Sequence, residues 1–132
     1  MKTRLLMSLS ALFMAVLGLL ASFLPQEILA YSQVSVQGPL VMLLQAAGAL
    51  YLGFAILNWM ARASLIGGIY GKPVALGNFL HFAAMCMVFL KALANGEATA
   101  LTLAGALFYT LFALWFGLVV YTTPSEVGRT PH

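Results

Sequence analysis

The chain has 132 residues, of which 63% are apolar and only 7% charged, against about 45–50% and about 25% in soluble domains. A domain this small leaves a large share of its surface exposed, so this much apolar surface requires lipid rather than water as the solvent. A net charge of +3 on six Lys and Arg, with one cysteine, Cys86, excludes the dense basic face of a nucleic-acid binder and the framework of a disulfide scaffold.

The first hydrophobic run, about Leu5–Leu24, follows the positive Met1-Lys2-Thr3-Arg4. It is longer than the roughly 7–15 residues of a signal-peptide core. The nearest cleavage candidate, Leu19-Leu20-Ala21, carries Leu at the critical third position, so a retained helix is expected. A break begins at Pro25-Gln26-Glu27, and the second run, about Leu40–Met60, follows it. The glycine-rich Gly67-Gly68-Ile69-Tyr70-Gly71-Lys72-Pro73 leads into the third, about Val74–Ala94. The tight Asn95-Gly96-Glu97 precedes the fourth, about Ala100–Tyr121. Each run reaches the roughly 18–20 residues that cross a hydrocarbon core of about 30 Å. Backbone groups in lipid must bond within their own segment, so all four are expected to be helices. Short connections make neighbours antiparallel. The expected fold is all-α: one transmembrane domain over residues 1–132, a four-helix bundle running up-down-up-down. Lys2, Arg4, Arg62, Lys72 and Arg129 fall on one side, and Lys91 falls towards the other with Glu27 and Glu97. The positive-inside rule therefore predicts both termini in the cytoplasm.

Polar residues within spans are expensive and mark where function or assembly is located. The chain has no Asp, and Glu27, Glu97 and Glu126 lie in loops or the tail. No carboxylate is thereby placed within the bilayer to carry a coupling ion, to form an acid/base pair or to build a carboxylate metal site. No catalytic residue, cofactor or metal site is expected. What remains is a small cluster: Asn58 and Arg62 at the end of the second span, Asn78 and His81 at the start of the third. Asn78 and His81 are three apart and share a helix face. The cluster fits interhelical hydrogen bonding first, a headgroup- or ligand-binding pocket second, and a catalytic or redox site last. Gln45 is about 3.6 turns before Asn58, so the two do not form one polar path.

Cys86 lies mid-span, where a thiol in apolar surroundings is inert. Lys91 can snorkel outward. The glycine loop lacks P-loop spacing and a preceding strand; Pro73 suits a first helical position, with Lys72 placed to hold a lipid headgroup phosphate. The pairs Ala11/Ala15, Ala49/Gly53 and Ala113/Gly117 permit close helix approach. Trp59, Tyr70 and Tyr31 fit interfacial belts. A faint echo links Gly48-Ala49-Leu50-Tyr51 to Gly105-Ala106-Leu107-Phe108.

The segment Gln45-Ala46-Ala47-Gly48-Ala49-Leu50-Tyr51-Leu52-Gly53-Phe54-Ala55, then Asn58-Trp59 and Leu76-Gly77-Asn78-Phe79-Leu80-His81-Phe82, resembles the DoxX-like group of small four-helix bacterial inner-membrane proteins. The resemblance covers about positions 40–95 and implies an accessory role, with no functional residue carried over. The expected function is a non-catalytic accessory subunit or scaffold of a membrane complex in the bacterial inner membrane. The alternative is a small homo-oligomeric transporter or channel, or a binder of a lipophilic ligand. Expected partners are the lipid bilayer and other membrane subunits or further copies of the chain.

Overall fold

The computed structural model describes residues 2–64 and 71–122, and they are helical, with turns and short links but no strand among them. The helices are α1 (Lys2–Phe23), α2 (Pro25–Tyr31), α3 (Gly38–Ala61), α4 (Lys72–Ala94) and α5 (Ala100–Thr122). Of these, α1, α3, α4 and α5 are long and apolar enough to cross a membrane. The all-α class and the four spans are those the composition requires. The long helices extend up to three residues beyond the apolar runs, because a helix continues through polar boundary residues as long as its backbone bonds close.

One expected break is instead a helix. Pro25 opens α2 as its first residue, a position where a missing N–H costs nothing and the fixed φ suits a helix. Leu24 N donates to Leu20 O and Ile28 N to Leu24 O, so Leu24, which leaves the helical conformation at φ -123 and ψ 40, is a one-residue pivot between α1 and α2. Gln33 N donates to Ala30 O and Val34 N to Leu29 O, a Schellman closure. It places Gln33 at φ 57, in the left-handed region.

Contacts divide the chain into two compact units, residues 7–62 and the remainder. In the first, α1 and α3 run antiparallel with their backbones nearly touching. A Cβ on Gly48 would lie 2.5 Å from Ser22 Oγ, and one on Gly18 would lie 2.9 Å from the backbone nitrogen of Leu52. Along α1 from Met7 onward the buried residues are Met7, Ser10, Ala11, Met14, Gly18 and Ala21, a spacing of three and four that forms one stripe. The expected Ala49/Gly53 approach does not occur: Gly53 faces open space. The seam uses Gly48 and Ala55, on a different face of the same helix.

The second unit is built on aromatic packing between α4 and α5. Phe82 is fully buried and stacks on Phe112 at 4.8 Å and Phe116 at 5.6 Å between centroids. Phe79 meets Tyr121 edge-on at 6.1 Å and covers Gly117, where an added Cβ would sit 3.1 Å from the ring. Ala113 and Gly117 are both buried, as the small-residue pattern predicts. Between the two helices, Gly96 N donates to Leu93 O and Glu97 N to Ala92 O, a second Schellman closure. Gly96 takes φ +86, where the lack of a side chain removes the steric penalty. Thr99 Oγ1 then accepts from Thr102 N at 3.2 Å and caps the start of α5.

Candidate functional site

Asn58 lies one turn before the end of α3 and is fully buried. Its Nδ2 donates to Ser10 Oγ at 3.1 Å and lies 3.8 Å from Met14 Sδ. Ser10, also fully buried, donates onward to Met7 O at 3.1 Å. The amide of α3, the hydroxyl of α1 and the α1 backbone thus form a short relay that satisfies polar atoms in an apolar seam. Such buried groups cost free energy unless paired. The Ser10 partnership was not among the expectations from sequence. The available signal was the register: once Gly18 and Gly48 bring α1 and α3 together antiparallel, Ser10 falls level with Asn58. Gln45 also reaches α1, its Nε2 donating to Ser22 O at 3.4 Å. It does so from an exposed position, whereas Asn58 is buried, so the two do not form one polar path.

Arg62 follows the last residue of α3. Its guanidinium carbon sits 3.3 Å from the ring centroid of Trp59, one turn earlier, a cation–π contact on the helix surface. Alongside, between α1 and α3, runs an open groove of about 280 Å³ with an entirely apolar lining. Ala11 and Ala15, expected as a close-approach pair, help to line it.

Asn78 and His81 belong to α4, in the second unit. Asn78 is fully buried, and its Nδ2 donates to Val74 O at 2.9 Å, one turn back on the same helix. His81 is half-buried among aromatic rings, 5.3 Å from Phe82 and 5.9 Å from Tyr109. Cys86 Sγ lies 3.1 Å from Thr110 Oγ1, so the thiol contributes a link between α4 and α5. Among the described residues no group of three His, Cys, Asp or Glu side chains could hold a metal ion. Asn58 and Arg62 belong to the first unit, and Asn78 and His81 to the second.

Lys72 is exposed at the start of α4, just before Pro73. Gly67, Gly68, Ile69 and Tyr70 of the glycine loop lie outside the described residues, as do Glu126 and Arg129. No family model, curated protein or solved structure matches the chain.

Proposed function

We propose that this protein is a non-catalytic accessory subunit or scaffold of a membrane protein complex, seated in a bacterial inner membrane with both termini in the cytoplasm. The observation that carries this is the outward surface of α3. Of its 24 residues, Gly48, Ala55 and Asn58 are buried, and it buries least of the four long helices. Met42, Leu43, Leu50, Ile56 and Met60 are all exposed by more than 60%. In lipid there is no hydrophobic drive to cover such a face, so association rests on close packing and a few hydrogen bonds. Flexible methionines adapt to an uneven partner surface, and two stand at opposite ends of this one. The buried polar groups of the first unit support the same view. Asn58 and Ser10 hold α1 to α3, as structural residues do.

The test is photo-crosslinking in native membranes from residues placed at Leu43 and Met60, followed by polymer-nanodisc purification and mass spectrometry. A stoichiometric membrane partner joined at both positions is the expected result. A chain that crosslinks only to lipid or to itself overturns the accessory role and moves transport or ligand binding to the front.

A further inference from the structure

We propose that the groove between α1 and α3 is a phospholipid site, holding an acyl chain along its length and the phosphate of an anionic headgroup at Arg62. The groove is lined by small Ala11, Ala15 and Ala55 beside the larger Leu12, Leu52 and Ile56, with Trp59 at the end nearest Arg62. From Leu52 to Trp59 it follows α3 for about 10 Å, enough for a segment of acyl chain lying parallel to the helices. No polar atom interrupts the lining, which excludes a hydrated or hydrogen-bonding ligand along this stretch.

The end of the groove changes character abruptly. The apolar span ends at Ala61, so Arg62 stands at the level where hydrocarbon gives way to headgroups. Trp59, half-exposed, holds the guanidinium carbon 3.3 Å over the centre of its ring. A ring accepts no conventional hydrogen bond from all five guanidinium N–H groups, so donors remain for a phosphate acceptor. A phospholipid is the occupant that meets both halves at once: a hydrocarbon chain for the groove and an anion for the arginine. Transfer of an acyl chain from bilayer to groove gains little hydrophobic energy, because both are apolar. Selectivity therefore resides in Arg62, and a net-negative headgroup is preferred to a zwitterionic one, whose own ammonium competes for the phosphate.

The test is native mass spectrometry of the full chain released from nanodiscs of equimolar phosphatidylglycerol and phosphatidylethanolamine. The wild type is expected to retain phosphatidylglycerol preferentially. Arg62→Gln should lower the ratio of retained phosphatidylglycerol to phosphatidylethanolamine about fivefold, the effect of one interfacial arginine, and Arg62→Lys should restore part of it. Ala15→Phe, which fills the groove, should reduce retention of both lipids. If that variant is misfolded by its thermal transition, Leu12→Trp, at an exposed position, takes its place. Unchanged retention in the groove-filling variant overturns the site. So does a headgroup preference that survives Arg62→Gln and disappears instead in Lys72→Gln. A groove occupied by a second copy of the chain would appear as dimers lost on Ala15→Phe at constant lipid content, and that outcome also rejects the lipid.

Discussion

At the scale of single residues, the first unit depends on one amide and two glycines. Asn58 is tolerable in an apolar seam because Ser10 Oγ accepts its hydrogen bond at 3.1 Å. Hydrogen bonds between membrane helices contribute about 0.6 to 2 kcal/mol each. Asn58→Leu should therefore lower stability by that amount in a reversible unfolding assay in micelles. The double variant Ser10→Ala/Asn58→Leu should lose hardly more than Asn58→Leu alone, and strictly additive losses would show that the two side chains do not act together. The glycines give a sharper contrast. Gly48 has no room for a Cβ beside Ser22, whereas Gly53 faces open space. Gly48→Val forces the backbones apart and should cost about 1–3 kcal/mol; Gly53→Ala should be neutral or stabilise by up to about 1 kcal/mol. Equal effects at the two positions would contradict the seam described for α1 and α3.

At the scale of elements, helix ends decide where the chain turns. Two Schellman closures appear, one after α2 with Gln33 in the left-handed position and one after α4 with Gly96 there. A side chain in that conformation costs about 1–2 kcal/mol. Gly96→Ala is expected to destabilise the α4–α5 hairpin by about 1 kcal/mol, and Gln33→Gly to leave the first unit as stable or slightly more so. Thermal transitions of the two variants, moving in different directions, would confirm that backbone conformation is the cause. Asn95-Gly96 was legible as a turn because the residue types announce it. The α2 helix was not legible, since proline marks the start of a helix as readily as the end of one, and only the hydrogen bonds from Leu24 and Ile28 distinguish the two.

At the scale of the whole molecule, the distribution of Lys and Arg predicts that the α1–α2–α3 and α4–α5 connections differ in exposure from the segment joining α3 to α4. In a Cys86→Ser background, which keeps a hydroxyl for Thr110, cysteines replacing Ser35 and Glu97 should react with an impermeant maleimide from outside intact cells. A cysteine replacing Ser64 should react only after permeabilisation. The opposite labelling pattern would invert the proposed topology and place Arg62 and Lys72 outside. Gly48 receives Ser22 of α1, and Gly105 lies under Phe89 of α4, so in each unit the echoed glycine is a point of contact with the preceding long helix.

What the sequence determined by itself was the solvent, the number of long apolar helices and their approximate limits. These follow from composition and run length, which a chain cannot disguise when every backbone group must bond internally. The candidate polar residues were legible too, because Asn, Arg and His stand out against an apolar background. Only the tertiary structure decided which face of each helix became the seam. In a helix apolar all round, periodicity does not mark an inner side, so the small-residue spacing pointed to Ala49/Gly53 whereas the seam formed on Gly48. The same register assigned Ser10 to Asn58 and opened the groove beside Trp59.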